Sequence, residues 1–400
     1  MRVFRCYLLL LVACTIAVVL TAMIPHRTIE SHCQTSIAYI VKQGEYPSAY
    51  GLPFLKTDNF TDLLMLNEAW CSDDTQPVNA SMMNYFFLTN DDNLFKASWQ
   101  LITQPTEQPQ LQEYSRYWHG FQIVLRPLLV LTDYSNLIIV NFVLLILVAL
   151  WCLYEVWWQC SPMDCILLAL VLLLTAFYAV PLCFQYSVCF YIMFFSVITL
   201  LQNKKQMSRN KEHEVCSFFT IGALTAFFDL LTTPLLTLGI PLLLYLRSKE
   251  QRSRTTGLAV RLSIAWSVGY AVLWISKCLV AWLLTGHNIL NFFMKGVYTR
   301  SALGLGSINS LIMTHPIICV AILVMLIVII LLVTTHTPFL RQHGWYLFIA
   351  VMPFLWYAVL LQHSIIHFFF VWRILAITVL SLMMLGRELV TARDTRKNYI

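Results

Sequence analysis

The chain has 400 residues, 59% hydrophobic and only 12% charged, with a formal net charge of +6 and a mean hydropathy of +0.70. Soluble domains carry about 25% charged residues. The composition therefore excludes an ordinary soluble globular protein, and no nucleic-acid partner is expected.

Apolar segments run at about 5–25, 134–158, 162–182, 185–202, 214–228, 231–246, 257–284, 315–335, 345–361 and 366–386. A helix of about 20 residues crosses about 30 Å of hydrocarbon. Backbone groups in lipid must be satisfied internally, so these runs are expected to be helices, about ten in all. The fold class is thus all-α and polytopic. The first run, Cys6 to Pro25, is longer than a signal-peptide core and lacks a clear cleavage site, so it reads as a helix that stays. Four regions follow: 1–25, a first transmembrane helix; 26–133, a large outer loop; 134–386, a multi-span bundle; and 387–400, a basic cytoplasmic tail.

Orientation follows from lysine and arginine in the short loops. "NKKQMSRNKEHE" (203–214), "RSKEQRSR" (247–254), "RQHG" (341–344) and the tail hold most of the basic residues. Placing them inside puts both termini in the cytoplasm and 26–133, 285–314 and the turn at 362–366 outside. A plasma (inner) membrane location is expected, with membrane lipids as surroundings. In the outer loop, 60–70 and 81–102 can each form an amphipathic helix lying along the interface. Cys33 and Cys71, alone together in that loop, either pair in an oxidising compartment or remain free thiols. Asn59-Phe-Thr61 and Asn79-Ala-Ser81 are glycosylation triplets, relevant only in a host that uses them.

The chemistry-bearing residues gather on the outer side. Asp58 precedes a helical run and Asp62 lies four residues on. An N-cap with a solvated neighbour is one reading; a general base or a metal site is the other. Asp58 is the metal ligand if a divalent ion (Mg or Mn) is used. "YSRYWHGFQIVLRPLL" (114–129) sets Arg116, His119 and Arg126 near one face of a helix, with Tyr114, Tyr117 and Trp118 as interface aromatics. Tyr117 doubles as a substrate contact. Snorkelling explains Arg116. Arg126 lies inside an apolar run and demands a partner or an anion, and Pro127 is expected to break the helix there. Asp229 sits at an outer turn, as a cap or as a polar contact. Lys277 and Arg373 are cations within apolar runs, and His363 and His367 stand at i, i+4, a metal-ligand or phosphate-contact spacing. Cations near hydrocarbon suit a phosphate with a lipid tail. Carboxylates above them suit activation of a hydroxyl nucleophile.

With "DNFTDLLML", "YSRYWHGFQIVLRPLL", "FFDLLTTPLLTLGIPL", "WSVGYAVLWISK" and "WYAVLLQHSIIHFFFVWR" set on this layout, the chain resembles the GT-C superfamily of membrane glycosyltransferases, in a poorly characterised bacterial multipass branch. The resemblance implies inverting transfer of a sugar from a polyprenyl-phosphate donor to a glycan or lipid acceptor of the cell envelope. It implies a base or metal ligand early in the outer loop, matched by Asp58 and then Asp62. It implies basic residues at the bundle mouth, matched by Arg116, Arg126, Lys277 and Arg373. Asp58 is followed by Asn59 where many members have an adjacent acidic pair. With no soluble C-terminal domain after the last span, acceptor recognition is expected from the outer loops. A transporter or flippase for a lipid-linked or anionic solute, and an O-antigen polymerase or ligase, are the alternatives. A flippase needs charges lining a path to both faces.

Overall fold

The structure, a computed structural model, describes residues 2–104, 110–249, 255–301, 326, 330 and 337–397. It is essentially all-α. Helices α1 (Arg2–Ala22), α7 (Tyr134–Gln159), α9 (Phe184–Gln202) and α13 (Thr255–Thr285) are long and apolar enough to cross a membrane, and so is the stretch Phe368–Ala392. Helices α8 (Pro162–Leu174) and α12 (Leu236–Arg247) are apolar but shorter. With α11 (Lys211–Phe228), α15 (Thr337–Val359) and α18 (Leu375–Lys397) they form the bundle. The expected span at 315–335 lies, apart from two single residues, outside the described residues. The residues 387–397, expected as a tail, continue α18 as helix.

Local chemistry explains the helix starts. Asp133 accepts from the N–H groups of Ser135 (3.0 Å) and Asn136 (3.3 Å) and so caps α7. Ser161 caps α8, with Pro162 at the first helical position, where its missing N–H costs nothing. Helices α11 and α13 cross almost backbone to backbone. A methyl on Gly222 would lie 2.0 Å from the Trp266 carbonyl oxygen, and one on Gly269 2.1 Å from that of Phe219. Small residues allow this approach, as they do in membrane helix pairs.

The loop module, 26–133, is a packed body. It holds α2 (His26–Gln43), α3 (Asn59–Cys71), α4 (Pro77–Met83), α5 (Leu94–Thr103) and α6 (Gln122–Leu131), with a short antiparallel pair, β1 (Phe86–Phe87) and β2 (Leu111–Gln112). Three expectations change here. Helix α3 is buried around most of its circumference, from Asn59 through Ala69, and is the module's core rather than an interfacial helix. The expected single helix at 81–102 is broken: Asn84 ends α4 at φ 53 and Asn93 starts α5 by capping the Lys96 N–H. Finally, 116–119 is not helical; His119 has φ 55, and helix α6 begins at Gln122 and continues through Pro127 to Leu131. Pro127, the sixth of ten residues in α6, forfeits one backbone hydrogen bond without ending the helix. Cys33 and Cys71 are free thiols.

One end of the bundle, the loop end, carries this module together with α14 (Leu290–Ser301), α16 (Leu361–Ile366) and α17 (Phe368–Val371). The other, basic end joins 2, 159–164, 204–214, 247–249, 343 and 387–388 through polar contacts.

Candidate active site at the loop end

Asp58 is buried and caps α3. Its two oxygens accept from the Thr61 N–H (3.0 Å) and the Thr61 hydroxyl (2.7 Å). Each keeps lone-pair capacity for a second donor. Burial pushes its carboxyl up to about 6, against the pull of Thr61 and with a further push from Asp62. Asp62 is held differently. It accepts from the Tyr134 hydroxyl and from the N–H groups of Phe184 and Gln185, both at 2.9 Å. These are the first residues of α9, so Asp62 caps that helix and ties the loop module to the bundle. Its pKa also lies above the usual carboxylate range through burial. Asn59 is buried and donates to the Gly44 carbonyl at 3.0 Å, so it is closed to glycosylation.

Across from Asp58 stands Tyr186 of α9. Its hydroxyl donates to the Lys56 carbonyl (3.3 Å), and it lies in the fields of both Asp58 and Arg373. The Arg373 guanidinium sits 4.9 Å over the Tyr186 ring and 5.3 Å from that of Trp372. It is buried at 1% exposure, and its one hydrogen bond among the described residues is a long 3.5 Å to the Phe369 carbonyl. Nε and Nη2 find no partner among those residues. Ring contacts then lead inward: Tyr186 to Phe370 (5.6 Å), Phe370 to His367 (5.2 Å), His367 to His363 (4.6 Å). The i, i+4 histidines therefore meet. His363 Nε2 donates to the Leu231 carbonyl at 2.8 Å, presented by a left-handed residue at φ 71. Burial, with the Arg300 charge adding to it, lowers His363 to about 3 and His367 to about 4, so both are neutral near pH 7.

The remaining cations divide by partner. Arg126 gives Nη1 to the Ala69 carbonyl and Nη2 to that of Ile24, both at 2.7 Å, closing the C-terminal ends of α3 and α1. Lys277 gives Nζ to the Ser81 carbonyl (2.9 Å) and Asn84 Oδ1 (3.0 Å), beneath Trp118. His119 Nε2 donates to the Tyr114 carbonyl (2.8 Å), and its Nδ1 stands 2.8 Å from a Glu68 carboxylate oxygen. Arg116 stacks on Tyr114 (4.5 Å), Tyr117 (5.6 Å) and Phe292 (5.5 Å). Asp229 accepts from the Thr232 N–H (3.0 Å) and hydroxyl, a turn cap in the neighbourhood of Tyr117.

Asp58 and Arg373 thus flank Tyr186, and His367 adjoins them through Phe370. Arg126, Lys277 and His119 belong to a separate buried network around Glu68 and Gln122, beside a small cavity of about 20 Å³. Tyr186 and Arg300 escaped the sequence reading, which noted Glu68 only as an acid near a neighbouring face of the Asp58–Asp62 helix. For Glu68 the signal was present: an acid in a run of apolar residues that turns out buried on all sides. Among the described residues, no three metal-capable side chains converge. The donors do not fit a divalent ion, since Asp62 is turned to α9 and leaves Asp58 without a second carboxylate.

Fold and site together define a helical protein with, among the described residues, five helices long and apolar enough to cross a membrane and a buried polar constellation at one end. No protein-family profile, curated protein or solved structure matches the chain.

Proposed function

We propose that this chain is a GT-C-type membrane glycosyltransferase, moving a sugar from a polyprenyl-phosphate donor to a cell-envelope acceptor at the loop end. The observation that carries this reading is Arg373, a buried guanidinium with two nitrogens that find no partner among the described residues, against Tyr186, which also lies in the field of Asp58. A buried cation without a counter-ion is costly, and a phosphate accepting from its free edge removes that cost.

In the reaction the acceptor hydroxyl attacks the anomeric carbon. The new C–O bond forms as the bond to the donor phosphate breaks. The hydroxyl proton passes to Asp58, and the electron pair leaves with the phosphate, which Arg373 holds. A single displacement inverts the anomeric centre. A carboxylate titrating near 6 is ionised at pH 7 and basic enough to take that proton.

A groove of about 660 Å³ supports the lipid character of the donor. Phe121, Leu137, Phe184 and Phe228 line it toward the loop end, and Leu200 and Met207 toward the basic end. It suits an isoprenoid tail. At the basic end the buried acids have partners. Asp164 meets Arg247 (3.1 Å) and Arg387 (2.8 Å), and Glu214 meets Lys249 and Arg261 (2.8 Å). Charges joined to each other at that end favour one-sided chemistry over transport through the bundle.

The test is transfer from radiolabelled polyprenyl-phosphate sugars in proteoliposomes. Asp58→Asn is expected to lower turnover about 100-fold or more, and Arg373→Gln to weaken donor use while Arg373→Lys partly restores it. Wild-type turnover in Asp58→Asn would remove the base assignment. Absence of transfer from every polyprenyl-phosphate sugar offered would remove the reading itself.

A further inference from the structure

Helix α14 packs on α13 through Phe293 and Trp274, whose ring centres are 4.3 Å apart. The Trp274 indole N–H donates to the Arg116 carbonyl at 2.8 Å, fixing that backbone beneath α14. This brings Gly296 over Arg116. A methyl built on Gly296 would lie 3.0 Å from Arg116 Cδ, 3.7 Å from Arg116 Nη1 and 3.6 Å from Arg300 Nη1. The two Nη1 atoms are therefore separated by no more than the sum of the last two distances. Both guanidinium groups also face the Tyr117 ring, at 5.6 and 5.8 Å.

Two like charges this close repel, and the low dielectric of a half-buried site strengthens the repulsion. The aromatic faces and the Gly296 carbonyl, which accepts from Arg300 Nη1 at 3.3 Å, offset it only in part. Among the described residues neither arginine has a carboxylate at ion-pair distance, and both Nε atoms are buried without partners. Asp229, whose field reaches Tyr117, is engaged by Thr232. The floor is aromatic: Tyr114, Tyr117 and Phe292. A phosphate accepting at about 2.8 Å from each side spans such a gap and neutralises the pair.

We propose that Arg116 and Arg300, converging over Gly296, form a second anion site that takes a phosphate group, separate from the Arg373 site. In the transfer reaction it holds a phosphate-bearing acceptor; that role, unlike the binding itself, rests on the transferase reading.

The test is calorimetric titration of the full chain, in phosphatidylcholine nanodiscs, with inorganic phosphate. Wild type is expected to bind two phosphates. Arg300→Gln and Arg373→Gln each bind one, and the double variant none. A parallel titration in discs containing phosphatidylglycerol distinguishes the source of the phosphate. Loss of the Arg300-dependent event there identifies a lipid headgroup as occupant; its retention identifies a soluble phosphate. Gly296→Asp serves as a second variant, because it stations a carboxylate between the cations. It is expected to raise the melting temperature and weaken phosphate binding at this site about tenfold or more. One event lost in Arg300→Gln and kept in Arg373→Gln supports this site while removing the donor-phosphate assignment. Unchanged binding in Arg300→Gln, or a Gly296→Asp protein that melts lower and binds phosphate as wild type does, overturns the proposal. So does a wild type that binds no phosphate, or only the one lost in Arg373→Gln.

Discussion

Asp62→Ala should loosen the loop module from the bundle. The Asp62 carboxylate is 1% exposed and joins three elements: α3, which carries it, α7 through the Tyr134 hydroxyl, and α9 through the Phe184 and Gln185 N–H groups at 2.9 Å. Truncation orphans three buried donors. Each buried donor left unpaired costs about 1–3 kcal/mol, and relief of the buried charge returns part of that. A net loss of about 3 kcal/mol follows. Tyr134→Phe removes one donor and leaves the α9 cap in place, so it should cost about 1–2 kcal/mol.

The assay is thermal unfolding of detergent-purified protein, followed by tryptophan fluorescence, with hydrogen exchange read at the first turn of α9. Asp62→Ala is expected to melt about 5 °C or more below wild type and to exchange faster at Phe184 and Gln185. Tyr134→Phe should show the smaller shift with exchange at α9 little changed. A melting point within about 1 °C of wild type, with unchanged exchange at α9, would refute the view that this carboxylate docks the module.

The pH profile offers a test with opposite trends in one protein. Asp58 titrates near 6 when folded and near about 3.9 when unfolded, so its contribution to stability falls as pH rises between those values, while transfer, which needs the ionised form, rises through pH 6; a rate that is flat from pH 5 to 7.5 would remove Asp58 as base. Gly222→Ala should cost about 1–3 kcal/mol, because its methyl meets the Trp266 carbonyl oxygen at 2.0 Å; a wild-type melting point would mean α11 and α13 do not cross there. Lys277→Met should lower stability by about 2 kcal/mol by freeing the Ser81 carbonyl and Asn84 Oδ1, while transfer in the surviving folded fraction stays near wild type; loss of transfer with stability kept would place Lys277 in the site.

The apolar helices were legible because hydrocarbon thickness fixes their length. The loop module was not. Helix α3 carries Asp62, Asn67 and Glu68, polar side chains that read alone as solvated positions. All three are buried because partners arrive from elsewhere: α9 and Tyr134 for Asp62, the Phe87 carbonyl (3.0 Å) and the Ser98 hydroxyl (2.9 Å) for Asn67, His119 for Glu68. The same reasoning sorts the cations. Sequence marked Arg126 and Arg373 as cations that need a partner in an apolar setting and left Lys277 open to snorkelling, but it could not say whether a partner was protein. Arg126 and Lys277 turn their donors to carbonyls at helix ends and so stabilise the fold. Arg373, Arg116 and Arg300 keep donors that no acceptor among the described residues fills. Arg300 was invisible beforehand because its meaning depends on Arg116, far away in sequence, reaching the same glycine. Arg126 keeps an unpaired Nε as well, but carbonyls hold both its Nη groups; Arg373 and the Arg116–Arg300 pair, without such a clamp, call for an anion from outside the chain. At the basic end, where Arg247 and Arg387 meet Asp164, and Lys249 and Arg261 meet Glu214, the charges hold each other. On the proposed reading, substrate recognition by charge belongs to the end that the loop module covers.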